Sequence, residues 1–236
     1  MRFAHGGKFG DLIYSLPVIQ HLGGGELTLY PNPATGMTFT ADSVAAIEPL
    51  LSRQSYIESV QFAPGPLPGT LNLDTFRRHW RGGYNIADIV AEWLGIPHHP
   101  REAPWLYVEA NRVAPVVFAR CDRWRNPEFP WKKVLKKYDG NAVFVGLPHE
   151  HERFVREVGP VPFHPTADFL ELAAVIAGAD LFVGNQSSPR AVAEGLKRPV
   201  LQESDRSNDN CHWERRRTWY GYRSDTYIPD LEEAAR

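Results

Sequence analysis

Short runs of β-branched and aromatic residues alternate with helix-patterned stretches along the whole chain, and one proline-rich segment, IPHHPREAP, interrupts the alternation at residues 96–104. A strand followed by a helix and then another strand is the signature of a parallel sheet, because parallel neighbours need a crossover that a helix supplies. Before the break the pattern predicts strands at 2–5, 26–30 and 56–62 and helices at 15–22 and 41–51. The clearest helix is NIADIVAEWLG: Asn85 suits the N-cap, Ile86, Ile89, Val90, Trp93 and Leu94 share one face, and Gly95 suits the end. After the break come strands at 105–109, 116–121, 142–146, 181–184 and 199–202, with helices at 168–177 and 189–196. The expected architecture is α/β, with two Rossmann-like domains, residues 1–100 and 101–236, facing each other across a cleft.

Composition narrows the partners. The net charge of −2 over 236 residues gives no global attraction to nucleic acid or anionic membrane. The two cysteines, Cys121 and Cys211, have neither zinc nor redox-pair spacing. No stretch approaches the roughly 20 apolar residues that span a bilayer, and the N-terminus lacks a signal-peptide core, so a cytoplasmic location is expected.

Ligands of open α/β sheets bind at the carboxyl ends of strands. That rule selects residues 5–11, 120–131, 146–152 and 184–190. In DLFVGNQSSPRAVAEGL a strand ends at Gly184, and Gln186, Ser187 and Ser188 lead into a helix with Pro189 near its start. Such a start aims free N–H groups at the cleft and favours phosphate, with Arg190 adding charge; equally, Ser188 caps a structural helix. In VFVGLPHEHERF, Glu150 and Glu152 follow the strand-end Gly146. A carboxylate there suits two ribose hydroxyls, and it suits a helix start as well. His149 and His151 lack a third ligand, and no metal site is expected.

In ARCDRWRNPEFPW, Arg120, Arg123 and Arg125 follow a strand, where they match phosphate oxygens or form a surface ion-pair cluster. The opening HGGKFGD has Gly6, Gly7 and Gly10 within five residues, but neither G-x-G-x-x-G nor Walker spacing. Asp11 closes this turn as a candidate general base or as a helix-start acid without chemistry. The C-terminal CHWERRRTWYGYR interleaves arginines with aromatics. It suits single-stranded nucleic acid or a membrane surface, or packing across a domain junction.

The order GGKFGDLIYSLPVIQHL, RNPEFPWKKV, FVGLPHEHERF, ADLFVGNQSSPRAVAEGL resembles the heptosyltransferase-like glycosyltransferases of family 9, whose fold is GT-B. The resemblance implies an inverting sugar transfer from a nucleotide-sugar donor to an acceptor hydroxyl; no D-x-D occurs in the sequence, so a metal-bridged departure of the diphosphate is not favoured and neither metal nor cofactor is expected. It matches Asp11 to the catalytic base and Gly10 to close backbone approach to the donor. Arg123 and Arg125 fall near the basic residue on the donor phosphates. Glu150, then Glu152, match the ribose ligand, and Ser187 and Ser188 the helix start at the diphosphate. The chain departs from the family at Gln186, Ser188 and Ala191, where Asp, Gly and often His occur. Rival readings are a nucleotide-binding protein without turnover, a nucleic-acid-binding protein using the C-terminal stretch, and a transferase acting on modified DNA bases.

Overall fold

The computed structural model describes residues 1–35, 39–205 and 210–235. The first half runs β1 (Arg2–His5), α1 (Phe9–His21), β2 (Gly25–Leu29), α2 (Ala41–Ser52), β3 (Ile57–Phe62), β4 (Leu71–Asn72), a 3-10 helix (Leu73–His79) and α3 (Ile86–Leu94). Its four strands form a parallel sheet in the order β3-β2-β1-β4. The second half runs β5 (Val116–Ala119), α4 (Trp131–Lys137), β6 (Ala142–Phe144), α5 (Pro148–Glu157), α6 (Phe169–Gly178), β7 (Leu181–Asn185), α7 (Ser188–Gly195), β8 (Val200–Glu203), β9 (Thr218–Gly221) and α8 (Leu231–Ala235). Its sheet is parallel too, in the order β6-β5-β7-β8-β9.

The expected α3 is present with Asn85 capping through Ala87 N (2.9 Å) and Gly95 in the left-handed region at φ 67°. Three elements differ from expectation. Helix α1 starts at Phe9, well before residue 15, and tolerates Pro17 in its interior. Asp11 therefore lies in its first turn, where the dipole favours an acid. The expected strand at 105–109 joins no sheet: the amides of Trp105 and Leu106 both donate to Gly195 O (3.0 Å each), strapping this segment to the end of α7. Conversely, the C-terminal Arg/aromatic stretch supplies β9, the edge strand beside β8.

One core cluster runs continuously through both halves, from Phe3, Leu27 and Leu29 of the first sheet to Val117, Phe182 and Val200 of the second. Between them α1 packs on α7, burying Leu12, Ile13 and Leu16 with Ala191, Val192 and Ala193. Trp105 and Trp213, both fully buried, pack 5.0 Å apart at the same junction. A second cluster, including Phe118, Phe144, Phe154 and Trp131, fills the space on the other side of the second sheet. Among the described residues no helix is long and apolar enough to cross a membrane.

Candidate active site

Packing α1 against α7 brings the N-termini of these two helices to one cleft of about 420 Å³. Its lining includes Lys8, Gly10, Asp11, Arg77, Arg123 and Ser188. A Cβ on Gly10 would lie 3.9 Å from Ser188 N, so the two helix starts nearly touch. Neither is capped by a side chain: Lys8 stands at the N-cap of α1, and Ser187, at the N-cap of α7, turns its hydroxyl to Asn185 O (3.1 Å). The N-cap is thus Ser187, and Ser188 is already the first residue of the helix. Uncapped first-turn amides carry partial positive charge and remain available to an anion.

Asp11 is held by a residue outside every sequence motif. Arg77, from the 3-10 helix beyond β4, donates to Asp11 Oδ2 through Nη2 and to Asp74 Oδ1 through Nε at 2.9 Å. Asp74 is buried and also accepts from Asn32 Nδ2. Burial opposes the Arg77 charge, but Asp11 and Asp74 more than offset it and raise the guanidinium pKa. Gly7 makes room for this network, since a Cβ there would lie 2.7 Å from Arg77 Nη2 and 2.9 Å from Asp74 Oδ1. Its amide donates to His5 Nδ1 (2.9 Å), and burial lowers the His5 pKa, keeping that ring neutral.

The three arginines after β5 separate. Arg120 is buried and bidentate to Glu203, with both bonds at 2.8 Å, and also reaches Glu157 (3.1 Å). Arg125 binds Glu157 at 2.8 and 3.1 Å and Cys121 O at 3.1 Å. Both are internal ties and stand outside the cleft lining. Arg123 lines the cleft, is exposed, and has no ion pair among the described residues. Lys8 faces the same space, and burial, with the Arg123 charge second, lowers its pKa below the usual lysine value. Two unpaired cations that oppose each other's charge suit a polyanion between them.

Arg190 is absent from this set. It is fully buried, donating to Tyr14 Oη (2.8 Å), Glu194 Oε2 (2.9 Å) and Gln202 Oε1 (2.6 Å). It ties the first half of the molecule to the second. Gln186 is buried at the cleft floor and its Oε1 accepts from Asp205 N (3.4 Å). Gly146 holds φ 129° and turns β6 into α5, whose start Glu150 secures by accepting from Leu147 N (3.0 Å). Burial raises the Glu150 pKa. Glu152 is exposed on α5. His151 is taken up by Val161 O (2.8 Å) and a stack on Phe163, and the described residues contain no group of three or more potential metal ligands.

The C-terminal arginines divide between internal bonds and the surface. Arg215 donates to Glu194 Oε1 (2.7 Å) and Arg217, though exposed, to Ala234 O (3.3 Å), while Arg216 lies 3.9 Å from Glu102 and Arg216 and Arg223 are both exposed. Arg215 thus takes the expected packing role at the junction.

Two parallel Rossmann-like sheets with flanking helices and a cleft at the carboxyl ends of β1 and β7 define the GT-B class. No protein-family model and no curated protein matches the chain in sequence. Solved structures share its fold. A family 9 glycosyltransferase from Veillonella parvula superposes over 93% of this chain and 85% of its own, with TM-score 0.63 and 13% identity. The E. coli heptosyltransferase WaaC with ADP matches over 89% of each chain, with TM-score 0.59 and 13% identity. The dodecameric iron-containing heptosyltransferase TibC, in complex with ADP-D-β-D-heptose, matches over 92% of this chain but 61% of its own, with TM-score 0.56 and 16% identity. The fold likeness is to heptosyltransferase-like glycosyltransferases of family 9.

Proposed function

We propose that the protein transfers a sugar from a nucleoside-diphosphate donor to an acceptor hydroxyl, in the cleft between α1 and α7. The observation that carries this reading is the convergence of Asp11, the unpaired Lys8 and Arg123, and the uncapped start of α7 on one space. ADP-sugars are the donors of first choice, because ADP and ADP-heptose are the ligands named for two structures of the same fold.

In this reading Asp11 takes the proton of the acceptor hydroxyl as its oxygen bonds to the anomeric carbon. The bond from that carbon to the β-phosphate oxygen breaks, and the sugar inverts. The acceptor oxygen grows acidic as positive charge moves onto it, so even a carboxylate paired with Arg77 serves as the base. The departing diphosphate gathers negative charge beside Lys8, Arg123 and the α7 amides, donors already in place before reaction. Glu150 is the proposed ribose ligand, in addition to its helix-start bond. The acceptor is a hydroxyl-bearing carbohydrate. A location in the cytoplasm, where nucleotide sugars are made, accompanies this reading.

The test is turnover of ADP-sugars with candidate acceptors, read as ADP release and product mass. Asp11→Asn should lower the rate by about 10²–10⁴-fold while ADP still binds. Equal rates in Asp11→Asn and wild type would remove Asp11 from the chemistry.

A further inference from the structure

Of the seven tryptophans, only Trp80 and Trp124 are exposed, at 44% and 37%, and both line the cleft that holds Asp11. They come from opposite halves: Trp80 follows the 3-10 helix of the first, and Trp124 lies in the loop after β5 of the second. Among the described residues neither indole has a hydrogen bond, a ring partner or a cation stacked on it. Every other tryptophan is at least partly buried. Leaving two rings against water forgoes burial that would otherwise stabilise the fold.

Trp124 also holds φ 54°, a left-handed conformation that a bulky residue adopts only under constraint. The constraint is visible. Asn185 Nδ2 donates to Arg123 O (2.6 Å) and Cys121 O (3.0 Å), Arg125 Nε donates to Cys121 O (3.1 Å), and Cys121 Sγ donates to Arg123 O (3.3 Å). The loop is pinned just before Trp124, and the strain is overcome so that the indole stands at the cleft.

We propose that Trp80 and Trp124 form a stacking subsite for a sugar ring, either the acceptor's or the one being transferred. The rest of the cleft chooses this chemistry. Lys8, Asp11, Arg77, Gln186 and Ser188 would be desolvated without compensation by a hydrocarbon chain. A pyranose presents C–H faces to the indoles and hydroxyls at its edges to these polar groups. The proposal rests on the glycosyl-transfer reading, but its test separates the two.

The experiment follows methyl α- and β-D-pyranosides by saturation-transfer NMR and indole fluorescence, with free and ADP-loaded protein, and compares the affinity of ADP with that of ADP-glucose. Trp80→Ala and Trp124→Asn delete the rings, the asparagine because it accepts a left-handed backbone; Trp80→Phe restores an aromatic face. Circular dichroism checks that each variant folds. The expected result is sugar binding that weakens about tenfold in each ring-deleted variant, in line with one aromatic contact, and recovers in Trp80→Phe. ADP affinity should be unchanged throughout.

Pyranosides bound alongside ADP-glucose would assign the subsite to the acceptor. An ADP-glucose advantage over ADP that vanishes in the tryptophan variants would assign it to the donor sugar. Loss of ADP binding in wild type with tryptophan-dependent pyranoside binding intact would sink the glycosyl-transfer reading and leave the subsite standing. Folded ring-deleted variants with wild-type affinity for pyranosides and ADP-glucose, or no sugar binding by the wild type, would overturn the proposal.

Discussion

Asp11 lies in the first turn of α1 with one carboxylate oxygen on Arg77, while Lys8, three residues earlier, makes no direct ion pair among the described residues. The pairing aims Asp11, so removing it should disturb geometry before affinity. Arg77→Met is expected to lower kcat about 10²-fold, the usual penalty for a displaced catalytic group, with the KM for the donor little changed. An unchanged kcat in steady-state assays would show that Arg77 positions nothing. Lys8 yields a pH prediction. Its pKa is lowered, and only its ammonium attracts diphosphate. ADP affinity should therefore fall as pH rises, starting below the range in which an ordinary lysine loses its proton. Calorimetric titration across alkaline pH should show this fall in wild type and its absence in Lys8→Met; parallel curves would contradict it. Arg77 was not visible in the sequence because Asp11 lies 66 positions away and only the fold brings them together. The motif arginines are visible, but nothing in the string separates Arg123, which makes no ion pair among the described residues, from Arg120 and Arg125, which Glu203 and Glu157 engage.

At the scale of elements, α7 does two jobs. Its start faces the cleft and its body anchors the two halves through Arg190, whose guanidinium is fully buried against Glu194, Gln202 and Tyr14. Arg190→Met leaves Glu194 with Lys197 (2.9 Å) and Arg215 (2.7 Å), so the cost should sit near the low end for a broken buried pair, about 3 kcal/mol. Urea denaturation measures it, and a loss below about 1 kcal/mol, the range of surface pairs, would place this tie outside the stabilising core. Strands β1, β2, β3 and β5 to β8 were legible because apolar, β-branched and aromatic residues cluster there. The two-residue β4 carries no such run. The arginines before β9 hid it, since their charge reads as surface until Glu194 is seen to receive Arg215. The start of α1 is hidden in the sequence because Gly6, Gly7 and Gly10 read as a turn reaching Asp11, whereas the helix already begins at Phe9.

For the whole molecule, the continuous core from Phe3 to Val200 joins the halves more firmly than the short 96–104 crossing suggests. Heating should therefore give one transition with calorimetric and van't Hoff enthalpies in agreement, although the chain exceeds the size at which two-state behaviour is routine. Two resolved transitions would mean that the junction of α1, α7, Trp105 and Trp213 is weaker than its burial implies. The two-sheet architecture was readable from the strand–helix rhythm, and the cleft from the strand-end rule. The shared core was not, because the residues forming it, among them Tyr14, Trp105 and Trp213, carry no local signal of a partner.

A diphosphate site in this cleft is tested by thermal stability against nucleoside diphosphates, in wild type and in Arg123→Ala. A nucleotide present at 100 times its dissociation constant should stabilise wild type by about 2.7 kcal/mol. ADP should give this shift, with a clear reduction at the same concentration in Arg123→Ala. No shift with any nucleoside diphosphate, or an equal shift in the variant, would contradict a diphosphate site between Arg123 and the start of α7.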